Sequence, residues 1–274
     1  MSGHERRVAI ALARDAGELL RRGLTGPRRI AYKGAPTNLV TEMDGRVETL
    51  VVDGLRAAFP DDAVLAEESG ARPGRSGRRW IIDPLDGTTN YAHGLPAYAV
   101  SIALEAGGRV QLGVVYDPSH DELYVAERGG GAVCNDRPLA VSTTATLDES
   151  LLTTGFPYDI RVNPDNNLAE YAAFSVRARA VRRIGSAVLD LAWVAAGRYD
   201  GFWELRLGPW DVAAGGLLVE EAGGRLTGLD GAPLDLDAPT LLASNGRIHA
   251  AMLAVLEEIR VRAPRADRSR SEAR

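Results

Sequence analysis

The chain has 274 residues, of which 45% are hydrophobic and 25% are charged, and its formal net charge is −5. This balance is typical of a globular protein with a sizeable core, and it argues against an intrinsically disordered chain. The acidic charge argues against electrostatic binding of nucleic acid, and no apolar run reaches the about 18 residues that cross a bilayer. The single cysteine, Cys134, cannot form an internal disulfide. It favours a reducing compartment, and we predict a cytoplasmic protein without nucleic-acid or membrane partners.

The first half of the chain is predicted to contain two amphipathic helices followed by several strands. Apolar residues recur at helical spacing from residue 8 to residue 20 and again within 44–58. Short apolar runs separated by Gly-Gly and Asp-Pro turns then predict strands at 63–66, 80–82, 98–104, 110–116 and 122–127. The strand at 80–82 is expected to end at Asp83-Pro84, and the segment 71–79 is expected to be a loop.

The second half alternates strands and helices without a regular βαβ period. Its patterns predict strands at 151–154, 181–184 and 201–204 and helices at 167–180, 186–196, 210–222 and 248–259. We therefore expect an α/β fold of the mixed α+β type, with layered helices and sheets and much antiparallel pairing. We expect an N-terminal half at 1–143, a C-terminal half at 144–262 and a disordered tail at 263–274, which is rich in Arg, Ser and Ala.

The segment from Asp83 to Asn90 (Asp-Pro-Leu-Asp-Gly-Thr-Thr-Asn) carries the strongest chemical signal. Two aspartates leave the end of an apolar strand, and the proline between them restricts the chain, so both carboxylates can face one point beside the Leu85 carbonyl. Such oxygen donors suit Mg²⁺. Gly87 and Thr88 are predicted to begin a helix, whose free amides and dipole favour an anion such as phosphate.

Each acidic residue also has a purely structural interpretation. Asp86 and Asp211 are plausible helix caps, and Asp44 has the same position at the start of the second helix. The adjacent Glu67 and Glu68 are typical of a solvated strand edge. However, all of these acidic groups lie at the starts or ends of elements, where loop-borne sites are built, and this shared placement favours a functional site.

Three sequence blocks carry a family resemblance. They are Leu65-Ala66-Glu67-Glu68-Ser69-Gly70, Trp80-Ile81-Ile82-Asp83-Pro84-Leu85-Asp86-Gly87-Thr88-Thr89-Asn90-Tyr91 and Trp210-Asp211-Val212-Ala213-Ala214-Gly215, the last continuing to Glu221-Ala222-Gly223-Gly224. Their order and spacing resemble the inositol monophosphatase family, within the Mg²⁺-dependent, Li⁺-sensitive sugar phosphatases, and its bacterial branch in particular. The resemblance covers nearly the whole chain. It implies the layered α-β-α-β-α sandwich of these phosphatases and a homodimer.

The resemblance also implies a metal site, a catalytic pair and a substrate pocket. The implied ligands of two or three Mg²⁺ ions are Glu67, Asp83, the Leu85 carbonyl, Asp86 and Asp211. Asp83 would bridge two ions, and a third ion would rely on Glu67 and water. The implied catalytic groups are Asp44, Thr88 and Glu68, of which Thr88, paired with Asp44, would orient the attacking water and help to deprotonate it. The implied substrate-binding residues are Asp86, Gly87, Thr88, Ala187 and Glu204.

We therefore predict an enzyme, a Mg²⁺-dependent phosphomonoesterase that hydrolyses myo-inositol monophosphate with a metal-activated water. A broader sugar phosphatase that also accepts fructose 1,6-bisphosphate stays an alternative, as does a non-catalytic interaction role on the same fold. The lone cysteine and the scattered histidines do not favour a covalent phosphoenzyme. Arg182 and Arg183 are either a solvated strand end or lie near the substrate or a dimer face. Asn38 stands where the family often has an aspartate, so a third ion stays an open question.

Overall fold

The computed structural model describes residues 3–24, 30–32, 39–237 and 240–262. Its helices are α1 (Gly3–Gly23), α2 (Glu42–Ala58), α3 (Thr88–His93), α4 (Leu168–Ser175), α5 (Ala187–Ala195), α6 (Pro209–Glu221) and α7 (His249–Arg262). Its strands are β1 (Ile30–Tyr32), β2 (Leu39–Thr41), β3 (Ala63–Ala66), β4 (Gly70–Arg72), β5 (Arg78–Asp86), β6 (Ala99–Ala106), β7 (Arg109–Asp117), β8 (Glu122–Glu127), β9 (Gly131–Cys134), β10 (Arg137–Pro138), β11 (Leu151–Thr154), β12 (Ala180–Arg182), β13 (Gly201–Glu204), β14 (Arg225–Gly228) and β15 (Leu241–Ser244). Within those ranges, no helix combines the length and apolar character that crossing a bilayer requires.

Two large sheets organise the molecule. The first has eight strands in the order β10-β9-β8-β7-β6-β5-β3-β4, and its described pairs are antiparallel except for β3 with β5. The second has five strands in the order β12-β11-β13-β15-β14, with β11 parallel to both of its neighbours. The antiparallel meander β5 to β9 explains why neighbouring segments of the sequence lie side by side in the first sheet.

Helices cover the sheets in successive layers. The helices α1 and α2 pack on one face of the first sheet, α5 and α6 lie between the two sheets, and α4 and α7 cover the far face of the second sheet. The central strand β5 is buried on both faces: Trp80 and Ile82 pack towards α1 and α2, whereas Ile81 packs towards α5 and α6. The α/β fold class and the α-β-α-β-α layering are therefore confirmed.

The helix α2 shows how local sequence sets an element boundary. Its N-cap residue Thr41 and its third residue Asp44 form a capping box, in which Asp44 Oδ2 accepts a hydrogen bond from the Thr41 amide at 2.8 Å. The apolar stripe of the helix, which includes Val47, Val51 and Leu55, is buried against α1 and the first sheet. The predicted helix therefore exists, and it begins slightly earlier than its apolar period indicates.

Most predicted elements are present, but three predictions were wrong in extent. The strand predicted at 80–82 does not end at Asp83 but continues as β5 to Asp86. The helix predicted at 167–180 is limited to α4, and the last residue of that range belongs to β12. The segment 71–79 is a loop only in its centre, because β4 and β5 occupy its ends.

Several short strands have no counterpart in the sequence predictions. The strands β9, β14 and β15 have four residues each, and β10 has two. Asn38 and the tail 263–274 lie outside the described residues. The division of the chain into halves at residue 143 stays a prediction.

Candidate functional site

A cavity of about 260 Å³ lies where β5, β11 and β13 end and α3, α5 and α6 begin. Nine of the predicted site residues line it: Glu67, Asp83, Leu85, Asp86, Gly87, Thr88, Ala187, Glu204 and Asp211. The other two, Asp44 and Glu68, lie outside the cavity lining. The structure therefore brings together residues from both halves of the sequence in one concave site.

An irregularity in β5 places two of these carboxylates on the same side of the sheet. Asp83 pairs with Ser101 and Asp86 with Ala99 of β6, so three steps along β5 correspond to two along β6. In a regular strand, residues three apart point to opposite faces, and the extra residue cancels that alternation. Pro84 lies within this irregularity. Proline has no N–H to donate to a neighbouring strand, and such irregular positions tolerate it. The two aspartates therefore converge.

Glu67 reaches the same point through the parallel pairing of β3 with β5. The register places Ala66 beside Ile82, and the Glu67 amide donates to the Ile82 carbonyl oxygen at 3.2 Å. The Glu67 and Asp83 side chains therefore leave adjacent strands at the same edge. This is the placement at strand ends where loop-borne sites are built.

Asp211 comes from the third residue of α6. Its Oδ2 accepts a hydrogen bond from the Gly208 amide at 2.6 Å, and the Ser101 hydroxyl donates to the Trp210 carbonyl oxygen at 3.1 Å. Because Ser101 is the β6 partner of Asp83, this contact fixes the start of α6 beside the irregular part of β5. Oxygen atoms of Asp83, Asp86 and Asp211 all lie within 4.8 Å of one another.

Asp86 is held by the N-terminus of α5. Its Oδ2 accepts hydrogen bonds from the Ser186 hydroxyl and, at 2.8 Å, from the Val188 amide. Nearby, the Asn90 side-chain amide of α3 donates to the Ile184 carbonyl oxygen at 2.8 Å. These contacts attach the start of α5, whose first residue is Ala187, to the candidate metal ligands of the first sheet.

Asp44 and Thr88 form a hydrogen-bonded pair beside the cavity. Thr88 Oγ1 lies 3.1 Å from Asp44 Oδ1 and 3.0 Å from the Leu85 carbonyl oxygen. Asp44 is fully buried, so the threonine hydroxyl connects its carboxylate with the cavity. Thr88 begins α3 after Gly87, whose φ of 87° is unfavourable for residues with a side chain. The Gly87 backbone also passes so close to Ala97 that an added Cβ would lie 2.7 Å from its carbonyl oxygen.

The acidic cluster disfavours full ionisation of its own carboxyl groups. Burial, and then the charges of Glu67, Asp86 and Asp211, raise the pKa of Asp83 well above its usual range. Burial raises the pKa of Asp86 to about 6, although hydrogen bonds from Ser186 and nearby amides oppose this shift. Burial, followed by the charges of Asp86 and Glu67, raises the pKa of Asp211. The cluster therefore favours uptake of protons or of a cation.

The cavity lining also includes an acidic group that does not belong to this cluster. Glu204 ends β13, is nine-tenths buried, and makes no hydrogen bond through its carboxylate within the described residues. An added Cβ on Gly155 would lie only 2.1 Å from Glu204 Oε1, so the carboxylate rests directly on the backbone that follows β11. Burial, and then the charge of Asp190, raise the pKa of Glu204. This carboxylate is free to accept hydrogen bonds from a molecule in the cavity.

Comparison with known proteins assigns this architecture to a family. The sequence profile described as "Inositol monophosphatase family" matches residues 4–260. The chain belongs to the inositol monophosphatase family. It is 47% identical over 224 residues to the "Inositol-1-monophosphatase" of Synechocystis sp., with 81% of this chain and 78% of the relative covered.

Two further family members show the same relationship. The chain is 43% identical over 257 residues to the "Nus factor SuhB" of Pseudomonas aeruginosa, with 91% of this chain and 94% of the relative covered. It is 46% identical to the inositol monophosphatase of Anabaena (Nostoc) sp., whose solved structure matches with a TM-score of 0.84 and coverage of 92% of this chain and 94% of the other. Family membership and the names of these relatives indicate that the chain is a phosphatase.

The family's metal dependence agrees with the donor set in this chain. Inositol monophosphatases are generally metal-dependent, and the cluster of Asp83, Asp86 and Asp211 offers hard oxygen donors at close range. Within the described residues, burial and the neighbouring carboxylates raise the pKa values of Asp83 and Asp211. Divalent cations with a preference for oxygen ligands therefore fit it.

Some residues of this family member's cavity have no specific signal in the sequence. Arg183 lines the cavity, whereas its neighbour Arg182 ends the edge strand β12, and the sequence alone left both positions open. Phe156 and Tyr158 also line the cavity, although an aromatic residue in a loop indicates no particular role. Their positions depend on where β11 ends relative to the first sheet, which only the packed structure shows.

Proposed function

We propose that the chain is a Mg²⁺-dependent phosphomonoesterase that hydrolyses myo-inositol monophosphate with a metal-activated water. One observation carries this proposal: a single cavity is lined both by the acidic cluster and by the Glu204 carboxylate, which makes no hydrogen bond within the described residues. The cluster suits a phosphate with its cations, and Glu204 suits the hydroxyl groups of a polyol. A phosphorylated polyol has both chemical features.

The chain's own oxygen atoms are proposed to hold the ions. Two Mg²⁺ ions, with a third still in question, would be bound by Glu67, Asp83, the Leu85 carbonyl, Asp86 and Asp211. When bound, such ions reverse the local negative charge, lower the pKa of a water molecule and stabilise the leaving oxygen. Glu68 is proposed to support the turn that carries Glu67.

Thr88 and Asp44 are proposed to orient the attacking water. When the Thr88 hydroxyl donates its hydrogen bond to Asp44 Oδ1, 3.1 Å away, Oγ1 can accept a hydrogen bond from a water in the cavity, and a proton taken from that water would be balanced by passage of the threonine proton to Asp44. The buried aspartate thus fixes the direction in which the hydroxyl acts. The amides of Gly87 and Thr88, at the start of α3, are proposed to hold the phosphate oxygens.

Ala187 and Glu204 are proposed to form the polyol end of the pocket, with Asp86 near the substrate hydroxyls. Glu204 accepts hydrogen bonds from hydroxyl groups, and the small Ala187 side chain leaves room for a ring. A buried acceptor that finds its partner only in the substrate discriminates strongly against molecules without that hydroxyl. Inositol 1-phosphate is therefore expected to be a better substrate than p-nitrophenyl phosphate.

Substitution of Asp211 tests the proposed metal site. Asp211→Asn keeps an oxygen that can accept from the Gly208 amide, so the start of α6 survives, but it removes a charged ligand. We expect phosphate release from inositol 1-phosphate with Mg²⁺ to fall roughly 100-fold or more, because metal catalysis contributes several kcal/mol. Colorimetric phosphate assays measure this, and Asp53→Asn, an exposed aspartate on α2, is the control.

The same assay decides the wider proposal. Activity should require added Mg²⁺, disappear with a chelator and decrease with Li⁺. Full activity of Asp211→Asn, or activity of the wild type in excess chelator, would contradict the metal assignment. A substrate series of inositol 1-phosphate, fructose 1,6-bisphosphate and histidinol phosphate then identifies the preferred substrate.

A broader sugar phosphatase is a second candidate, and Arg183 favours it. This exposed arginine lines the cavity, and within the described residues its guanidinium forms no ion pair. Its charge lies close enough to lower the pKa of Glu204 against the larger effect of burial. An unpaired cation at the polyol end suits a substrate with a second phosphate, such as fructose 1,6-bisphosphate.

Two further proposals concern partners. Relatives with the name Nus factor SuhB suggest an interaction role on the same fold, beside catalysis or in its place. The Asp211→Asn variant is expected to lose turnover but keep its fold. A pull-down experiment with this variant would therefore detect a binding role independently of turnover. We also propose a cytoplasmic homodimer, without nucleic-acid or membrane partners. Sedimentation velocity at micromolar concentration tests the dimer, and a single monomer boundary would contradict it.

A further inference from the structure

The turn that presents Glu67 to the cavity is held by a residue outside the cavity. Glu67, Glu68 and Ser69 connect β3 to β4, and the Glu67 amide already bonds to β5. The next two amides donate to the carboxylate of Glu48: Glu68 N to Oε2 at 2.8 Å and Ser69 N to Oε1 at 2.9 Å. All three amides of the turn are therefore bonded to other elements.

Support from outside the hairpin matters because both strands are short and β4 lies at the edge of the described sheet. The strand β3 has four residues and β4 has three, and β4 pairs only with β3 at the edge of the described sheet. A short hairpin of this kind has marginal stability by itself. Hydrogen bonds from outside the hairpin therefore decide how firmly the Glu67 side chain is oriented.

Burial of the Glu48 carboxylate is energetically unfavourable unless hydrogen bonds compensate it. Its side chain is only 5% exposed, so it sits almost entirely out of water. A buried carboxylate is tolerated when charged or hydrogen-bonding groups compensate it, and here two backbone amides do so. Both oxygens bind adjacent amides of one turn, which restricts the rotation of that turn more than a single bond would.

The position of Glu48 on α2 connects the two parts of the site. Glu48 follows Asp44 by one helical turn, so both side chains leave the same face of α2. Asp44 contacts Thr88, and Glu48 contacts the turn of Glu67. One rigid helix therefore sets the water-orienting pair and the Glu67 turn at a constant separation.

We propose that Glu48 is a positioning residue for the Glu67 metal ligand. It acts through the backbone of the turn rather than by contact with ions or substrate. The inference rests on the proposed function, since it takes Glu67 as a ligand of Mg²⁺. Residues that orient metal ligands in this way typically change metal affinity by about 10–100-fold when replaced.

Calorimetric titration of the metal-free protein with MgCl₂ tests the proposal without reference to turnover. Glu48→Gln keeps the size of the side chain, but its amide group has one acceptor oxygen and meets the second backbone amide with a donor. We expect the affinity for Mg²⁺ to fall about 10-fold, with a matching rise in the Mg²⁺ concentration for half-maximal phosphate release. KM for inositol 1-phosphate, measured at saturating Mg²⁺, should change much less than this.

Glu5→Gln is the matched control. Glu5 is also a buried glutamate on a helix that packs against the first sheet, and it accepts from Arg78 Nη1 at 2.9 Å, away from the cavity. This variant should lower the melting temperature and leave the Mg²⁺ isotherm of the wild type intact. If Glu48→Gln does not fold, Glu48→Asp, which is too short to reach both amides, is titrated in its place.

The outcomes separate the two proposals. If the wild type binds no Mg²⁺, the proposed function fails. If the wild type binds Mg²⁺ and the Glu48 variant gives a superimposable isotherm, the positioning role fails while the proposed function stands. Equal losses of Mg²⁺ affinity in the Glu48 and Glu5 variants would also overturn the positioning role, because general destabilisation would then explain both.

Discussion

Single aspartates at this site serve two partners at once. Asp44 accepts from the Thr41 amide with Oδ2 and faces Thr88 with Oδ1. Asp211 accepts from the Gly208 amide and also belongs to the acidic cluster. The capping and functional interpretations of these residues are thus compatible. A cap restricts the rotamer of the side chain and so orients the oxygen that faces the other way.

Two adjacent arginines provide a residue-level test of substrate choice. Arg183 lines the cavity, whereas Arg182 ends β12 and is exposed. We expect Arg183→Gln to lower kcat/KM for fructose 1,6-bisphosphate roughly 10–150-fold, because one charge-assisted contact contributes roughly 1.5–3 kcal/mol. The kcat/KM for inositol 1-phosphate should change less than about twofold.

Arg182→Gln is the control for this substitution and should leave both values of kcat/KM close to wild type. Steady-state kinetics on the two substrates measure the effect. An equal loss on both substrates in Arg183→Gln would assign that arginine a general structural role and would remove the argument for a second anionic group.

At the level of elements, the ends of β11 and β13 together build the part of the cavity that is proposed to bind the polyol. Asn167 is buried and connects them: its Nδ2 donates to the Gly155 carbonyl oxygen at 2.6 Å, and its Oδ1 accepts from the Trp203 indole at 2.6 Å. Trp203 precedes Glu204, so this network sets the carboxylate against the Gly155 backbone. A buried, fully bonded network of this kind holds its members in one arrangement.

The close approach at Gly155 predicts a selective defect. In Gly155→Ala, the new Cβ would collide with the Glu204 carboxylate, whose atoms lie 2.1 to 2.3 Å away, and the flexible end of Glu204 would move. Loss of a hydrogen bond to the polyol costs about 0.5–1.5 kcal/mol, so we expect KM for inositol 1-phosphate to rise roughly 3–10-fold. Hydrolysis of p-nitrophenyl phosphate, which has no polyol, should be much less affected.

Gly54→Ala controls for steric strain alone. Its new Cβ would lie 2.4 Å from Leu12 Cδ2, a collision between side chains of α1 and α2 outside the cavity. Steady-state kinetics and thermal melting are measured for both variants. A parallel rise of KM for both substrates in Gly155→Ala, or the same pattern in Gly54→Ala, would refute the specific role of Gly155.

At the scale of the whole molecule, burial of the acidic cluster couples folding to pH and to cations. The pKa of Asp86 rises from its ordinary 3.8 to about 6, and the pKa values of Asp83 and Asp211 rise as well. The folded, metal-free protein therefore binds more protons than the unfolded chain. For Asp86, this contribution to stability is fully present below about pH 4 and is lost as the pH rises through about 6, and the contributions of Asp83 and Asp211 change in the same direction.

This coupling predicts how Mg²⁺ stabilises the protein. Cations bind the ionised carboxylates, so the rise in melting temperature on addition of Mg²⁺ should be small at pH 5 and large at pH 8. At 100-fold excess over Kd, we expect a rise of roughly 5–10 °C at the higher pH. Differential scanning calorimetry measures this, with NaCl at equal ionic strength as the control. A rise that does not depend on pH would contradict the assignment of these groups.

Local sequence determined much of this protein. Helical periods predicted α1, α2, α6 and α7, and the Asp83-Pro84-Leu85-Asp86 motif predicted a site for oxygen-binding cations, because periodicity and turn chemistry are properties of neighbouring residues. The same motif, with two other blocks, predicted the family. Of the nine predicted residues that line the cavity, Asp83, Leu85, Asp86, Gly87 and Thr88 follow from the local motif, whereas the roles of the other four follow from that resemblance.

Only the tertiary structure decided how these groups meet. The irregular pairing of β5 with β6 turns Asp83 and Asp86 to one side, and the contact between Ser101 and Trp210 brings Asp211 to them. The support of the Glu67 turn by Glu48 likewise joins segments that are distant in sequence. Such contacts depend on the register of sheets and the packing of layers, which single segments do not encode because many long-range partners select them together.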